Sequence, residues 1–531
     1  MGYWAKPLMA REQVLLFSPT LDAMVSEDHP VRLFDEILSR TDWTAWEAKY
    51  HGRLGQPPIH PRILAGVILY GLSRGVRSSR HLEYLIGNNL DFMWLVEGRR
   101  IDHSTLCDFR KNFREPLKKL FQQVCRIAMT LGLIRLNEVA LDGTRVKANN
   151  DRFETLTAAG LQERLAALAA QIEQMLQEAE QADAKDAKLI DTGASSQQLP
   201  RELAHLRTRQ EQLQKALQEV QSADKARRSE GIDPQKNPAQ IPTTDPDSKV
   251  LPNKEGGYAP NYTPMAATDA HRGFIVDTDV IRDTNEQRTT VPTVDRITEN
   301  LGQVPDRLLA DGAFATGENM RELEERGVEF FTPVASHQPQ AGNPAFRADP
   351  TQAVPESQWE QLPRNPQTKK LDKACFVYDA QSDRYYCPQG QPLEYEETKS
   401  NVQSSGERTY FRVYRSVSCD GCQLAAACRM EKARRGRSIS RDVHEQRREQ
   451  MASKMASAEA KVIYQKRFHA AETPFGIIKH LMHLRQFLLR GLENVKTEWL
   501  WTCTAFNVAK LVREVGRLRA EFSKLLATEE V

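Results

Sequence analysis

Three acidic residues stand where an α/β chain could turn them on a phosphodiester: Asp142, Asp311 and Glu472. The apolar run from Val139 reads as a short strand and closes at Asp142. Arg307 to Ala310 reads as another, ending at Asp311, and Glu472 starts a helix after the fifth strand. Functional residues of an α/β sheet gather at the carboxyl ends of its strands, so acids far apart in sequence can converge there. Phosphodiester cleavage uses two divalent cations about 4 Å apart, one activating the attacking oxygen and one stabilising the leaving oxygen. Mg²⁺ prefers hard oxygen ligands and keeps several waters, so two or three carboxylates suffice. One Asp at a strand end is ordinarily a turn or helix cap; three in this order point to metal-assisted phosphoryl transfer with Mg²⁺ or Mn²⁺.

A softer ligand set lies in the same half of the chain. Cys419-Asp420-Gly421-Cys422 is a close thiol pair, Cys428 follows six residues on, and Cys387-Pro388 precedes it. Tetrahedral Zn²⁺ wants four such ligands, commonly presented by short turns. Cys375 is the substitute if Cys387 points elsewhere. The surrounding insert shows few large apolar residues in a clear period, and a small module with little core often needs a metal staple. A redox CxxC is the rival reading, but no thioredoxin-like unit surrounds it. Scattered free thiols are the plain alternative.

These groups need elements to position them. Residues 1–130 read as a helical domain, with an apolar helix over Arg62 to Leu72 followed by Gly75. Ser79 is read as the cap of a second helix, and Thr105 with Asp108 as a capping box for a third. In that third helix Leu106, Phe109 and Phe113 share one face, leaving Arg110, Lys111 and Arg114 free. This suits helix-turn-helix binding of DNA, with a packing domain and solvated arginines as the alternative. Residues 131–155 and 264–335 carry strand, strand, strand, helix, strand, helix, strand, including a hairpin around Ala270-His271-Arg272. Between them, 156–263 reads as two helical arms, separated by the polar stretch 183–200 and followed by a long loop over 229–264 rich in Pro, Gly, Asn and Asp. Residues 336–440 form the Cys-rich insert, and 441–531 return to helices.

The chain has 531 residues, 40% of them apolar and 27% charged, which is the composition of a globular protein of several domains. No apolar run approaches 18 residues, so no membrane span is expected. The start, over 1–17, carries Lys6, Arg11 and Glu12 and lacks the core of a signal peptide. The cytoplasm is the expected compartment, where cysteines are thiols or metal ligands. The net charge is only +2, but basic residues collect over 429–448 and 461–496, where a phosphate backbone could be neutralised.

Leu141-Asp142-Gly143-Thr144, Leu309-Ala310-Asp311-Gly312-Ala313-Phe314 and Tyr464-x2-Arg467-x4-Glu472-x6-Lys479 resemble the DDE transposases of bacterial insertion sequences, in the branch with a Tyr-Arg-Glu-Lys signature. The likeness runs through most of the chain, from Pro61-Arg62-Ile63-Leu64 to the stretch 493–511. It implies a ribonuclease-H-like core in which Asp142, Asp311 and Glu472 hold two Mg²⁺ (or Mn²⁺) ions. It also implies hydrolysis at the ends of a mobile element, freeing a 3′-OH that attacks target DNA. Tyr464, Arg467 and Lys479 would then contact the end DNA near the scissile phosphate, where cations stabilise developing charge and an aromatic ring can stack on an unpaired base. The implied partners are double-stranded DNA, both terminal repeats and target, and a second copy of the chain in a nucleoid-associated complex. A regulator that binds the ends without cutting is the other reading. The Arg-to-Glu gap is one residue longer than in the commonest signature. On a continuous helix this rotates Arg467 by roughly 100° relative to Glu472, so the expectation is that Pro474 marks the first turn of the Glu472 helix and Arg467 precedes it.

Overall fold

Val139, Ala140 and Leu141 are fully buried, as a strand covered on both faces requires. In the computed structural model they lie in the middle of a seven-stranded sheet. The structure describes residues 20–50, 57–151, 154–186, 198–229, 231–253, 256–282, 285–334, 342–402, 408–417, 419–431 and 433–529. The protein is mixed α/β, with a helical N-terminal region. The first strands are β1 (Glu138–Gly143), β2 (Val146–Lys147), β3 (Thr155–Leu156), β4 (Ile241–Pro242), β5 (Lys249–Pro252), β6 (Tyr258–Asp269), β7 (Ile275–Ile281), β8 (Arg307–Leu309) and β9 (Glu329–Phe331). Across the sheet the order is β7, β6, β1, β8, β9. The central β6 runs antiparallel to both β7 and β1, whereas β8 runs parallel to β1 and β9 parallel to β8. The helix Thr290–Leu301 leads into β8, and Gly317–Glu325 links β8 to β9.

One expectation fails here. Residues 229–264 are not a long loop, because β5 and half of β6 lie within them. Pro260 and Pro264 masked the strand, since proline cannot donate to a ladder. In β6 their carbonyls do the bonding instead, accepting from Ala148 and Thr144 at 2.9 Å each.

The N-terminal helices do not form a separate three-helix unit. They include Pro30–Ser39, Pro61–Ser73, Ser79–Asn88, Leu90–Leu95, His103–Asn112 and Arg114–Thr130, and their apolar core is continuous with that of the sheet. Trp46 stacks on Phe109 and Phe113 and meets Trp501 of the closing helix Leu492–Glu529. The caps shift by a residue or more from expectation. Ser78, not Ser79, accepts from His81 N–H, and Asp102, not the Thr105–Asp108 pair, caps the next helix by accepting from Thr105 N–H at 2.8 Å. Each such cap contributes about 1 kcal/mol.

The insert places helix Ala158–Asp186 against Gln198–Ser229 through a small core of Leu161, Leu168, Leu213, Ala216 and Val220. Most of the polar stretch between the arms, 187–197, lies outside the described residues, as do residues 1–19 with the start of the chain. The Cys-rich region also departs from expectation. It holds a five-stranded antiparallel sheet, β10 (Val377–Asp379), β11 (Arg384–Tyr386), β12 (Pro392–Val402), β13 (Arg408–Ser416) and β14 (Ser438–Asp442), in that order. Phe376, Tyr385, Leu393, Tyr414 and Ile439 give it a core of its own. Among the described residues no helix is long and apolar enough to cross a membrane.

Candidate active site

The parallel register of β1 and β8 pairs Ala140 with Leu309. Continued by two residues, it sets Asp142 beside Asp311. Each carboxylate is then fixed by the turn that follows it. Gly143 N–H donates to Asp142 Oδ1 at 2.9 Å, and Ala313 N–H donates to Asp311 Oδ1 at 2.8 Å. Between the two acids lies Arg467, whose Nη2 is 3.3 Å from Asp142 Oδ2 and 3.9 Å from Asp311 Oδ2. One nitrogen reaches both, so the carboxylates sit close enough to share a pair of cations about 4 Å apart. Hard oxygen donors of this kind suit Mg²⁺. The Arg467 side chain is only 10% exposed, and its Nε is buried without a hydrogen-bond partner.

Arg467 reaches the acids because its helix, Ala458–His480, sits tightly on the sheet. Ala460, Ala470 and Ala471 pack with Ile463 against Ala140, Leu309 and Phe331, and side chains this small let helix and strands approach closely. This helix corrects the expected break. Tyr464, Arg467, Glu472, Pro474 and Lys479 all lie on one continuous helix, with Glu472 and Pro474 in its interior rather than at its start. Five residues at 100° each put Arg467 and Glu472 about 140° apart. Arg467 therefore faces the sheet, while Glu472 is exposed and has no hydrogen bond or ion pair among the described residues. Asp142 and Asp311 come together in this structure; Glu472 does not join them. Among the described residues no three His, Cys, Asp or Glu side chains converge tightly enough to hold a metal ion.

Lys479 follows Glu472 by seven residues, almost two full turns, and so shares its side of the helix. Its ammonium donates to Thr144 Oγ1 at 2.6 Å and to the Arg145 carbonyl at 2.9 Å, anchoring the turn after Asp142. Tyr464 is half-buried with its ring edge-on to Phe468. Burial raises its hydroxyl above the ordinary phenol range, with the Asp311 and Asp142 charges adding to the effect and Arg467 opposing it.

Glu286 carries no sequence signal, because an acid in the loop after β7 belongs to no motif. It pairs with Arg145 at 2.9 Å, and both side chains are largely buried. Burial raises its carboxyl above the usual range; Arg145 opposes the shift, and the Asp142 and Asp311 charges add to it.

Residues 386–512 match a family model described as a transposase DDE domain, and residues 19–112 match one described as a transposase domain (DUF772). Both matches support a DDE-type transposase. The first takes in Tyr464, Arg467, Glu472 and Lys479, and neither reaches Asp142 or Asp311. No curated protein matches the chain. DDE transposases generally use divalent metals such as Mg²⁺, and the paired aspartates offer donors of the right hardness.

The basic face expected on the third N-terminal helix is mostly not free. Arg110 turns inward and donates from Nη1 to the Arg77 carbonyl at 2.6 Å, while its Nε and Nη2 are buried without partners. Arg114 pairs with Glu493. Only Lys111 of the three stays exposed. The cause lies in the closing helix, whose Trp501 Nε1 donates to the Arg110 carbonyl at 3.2 Å and covers this edge.

Cys387, Cys419, Cys422 and Cys428 line one cavity of about 30 Å³. Burial pushes the Cys428 thiol up to about 11 against the pull of Arg437, with the other three sulfurs adding. Cys387 is raised by burial as well. Cys375 stays apart and donates to the Pro363 carbonyl at 3.2 Å.

Proposed function

We propose that this transposase binds the terminal repeats of a mobile element and performs strand cleavage and strand transfer, with Asp142, Asp311 and Glu472 as its catalytic carboxylates. The observation that carries the reading is the placement of Asp142 and Asp311 at neighbouring parallel strand ends, under a single guanidinium. The strand order, three antiparallel strands followed by two parallel ones, supports a ribonuclease-H-like core. Glu472 is read as the third ligand from its motif, its free carboxylate and the side of the helix it shares with Lys479. Bound divalent cations would activate the attacking oxygen and stabilise the leaving one. The residues around them have separate tasks. Arg467 balances the two aspartates and supplies positive charge where a phosphate would lie, Lys479 holds the turn that follows Asp142, and Tyr464 stands near enough for the charges of both acids to act on its hydroxyl. The test is cleavage of a labelled duplex taken from DNA flanking the coding sequence, with Mg²⁺ or Mn²⁺. Cutting that survives Asp311→Ala removes the assignment, and binding without cutting by the unaltered protein favours a regulator.

Two further readings belong to the same proposal. Cys387, Cys419, Cys422 and Cys428 are assigned to a structural zinc, on their common cavity. The aromatic core beside them means that the metal would reinforce the module rather than replace a core. Metal analysis of protein made in zinc-replete medium should find about one equivalent, and less than about half an equivalent counts against the site. The transposase is also taken to act as a homodimer, because joining two ends needs two protomers. If deleting the arm over 156–229 leaves the oligomeric state unchanged by light scattering, the arm has no part in that dimer.

A further inference from the structure

The turn Gly143-Thr144-Arg145, immediately after Asp142, is gripped from two sides. Lys479 holds it from the helix side through Thr144 Oγ1 and the Arg145 carbonyl. From the other side Glu286 Oε1 accepts from Arg145 Nη1 at 2.9 Å, and Arg145 also donates to Thr263 of β6. The second oxygen of Glu286 lies so near Gly143 that a Cβ there would stand 2.7 Å from it, and 2.7 Å from Met265 Sδ. Glu286 therefore holds the Arg145 side chain and fills the space a side chain at position 143 would need.

We propose that Glu286 is a positioning residue for Asp142, acting through Arg145 and through its contact with Gly143. The inference rests on the phosphoryl-transfer reading above and deepens it. Glu286 and Arg145 neutralise each other inside the protein, at 2.9 Å and with both side chains largely buried. A glycine at 143 lets the Glu286 carboxylate close directly on the main chain. Asp142 is thus held by the Gly143 amide, which donates to its carboxylate, and its turn is held from the helix and from the loop after β7. Displacing a reacting group by about 1 Å can cost a hundredfold in rate, so a residue that only fixes this turn has a large lever.

The experiment uses full-length protein, the flanking-DNA duplex and titrated Mg²⁺. Glu286→Gln keeps the shape and an acceptor for Arg145 but removes the charge. It should cut about tenfold more slowly and need several-fold more Mg²⁺, while binding the duplex as tightly as the unaltered protein. Arg145→Gln should do the same, and the double variant should be no worse than either, because both act in one chain of contacts. An unchanged rate and Mg²⁺ dependence in Glu286→Gln, or losses that multiply in the double variant, overturns the inference. If Glu286→Gln melts early, Glu286→Asp decides: recovery of rate and metal dependence with the restored charge supports positioning, and no recovery overturns it. Unaltered protein that cuts nothing defeats the transposition reading itself. Normal cutting with an indifferent Glu286→Gln defeats only this inference.

Discussion

Arginine does opposite jobs at two places in this molecule. At the carboxyl ends of β1 and β8, Arg467 points between two aspartates, 3.3 Å from one and 3.9 Å from the other. Beneath the closing helix, Arg110 and Arg114 are occupied by a backbone carbonyl and by Glu493. Both groups read as basic in sequence. What separates them is what they face: acids gathered by topology in one case, the polar edges of a helix–helix junction in the other. A cation can serve a polar site when the fold gathers acids around it, and becomes structural when the chain returns to cover it.

The sharpest way to break this contrast is to remove Arg467. Arg467→Ala should reduce cleavage of flanking DNA by about 10² to 10³-fold, and cleavage close to normal would reduce Arg467 to a placeholder. A smaller loss is expected from Gly143→Ala, whose methyl group would meet Glu286 and Met265. About a hundredfold slower cutting with unchanged duplex affinity is the anticipated result, measured in single turnover. At the junction the expected outcome changes character. Arg110→Ala should alter thermal stability, because it removes the donor to the Arg77 carbonyl and opens a gap beside Trp501; a hydrogen bond of this kind carries about 1.5–3 kcal/mol. Lys111→Ala should leave stability alone and, if this edge meets DNA, lower the slope of log affinity against log salt by about 1. Should Arg110→Ala change the salt slope and not the melting temperature, the contrast collapses.

The smallest effect belongs to Lys510, on the closing helix over the rings of Phe274 and Phe506. Burial, aided by Arg513 and Arg272, pushes its ammonium down to about 8. The unfolded chain, titrating near 10.4, binds the extra proton between these values, so this group makes stability rise with pH from about 8 to about 10.4. Below about 8 the cost of holding a charged Lys510 is fully present. Lys510→Met should flatten that rise and stabilise the protein at neutral pH by about 1 kcal/mol or less, since the partly exposed ammonium is screened. Melting curves across the range check it.

The elements that frame the aspartates were legible because each depends on a short stretch of chain. Val139 to Asp142 and Arg307 to Asp311 announce themselves by apolar runs ending in an acid, and Gly302 and Gly327 stop their helices in the left-handed conformation a glycine reaches easily. The break before Glu472 was misread because Pro474 is tolerated inside a long helix that packing holds in place. Arg110 was misread because the helix that covers it begins at Leu492. Glu286 was missed because its meaning comes only from Arg145 and Gly143. The second sheet was missed although Tyr410 to Tyr414 follows a strand pattern, since the prolines and cysteines around it suggested loops.

Trp501 has a consequence for how the protein is made. It reaches back 391 residues to the Arg110 carbonyl and lies against Trp46 and Phe109. At about 5–20 residues per second, a ribosome needs roughly 20–80 s to travel between those two points. Throughout that interval the aromatic cluster of the first helices waits for its cover, open to solvent or to a chaperone. A message cut short before the last helix therefore yields a chain with an unfinished, adhesive flank, and not a smaller folded protein.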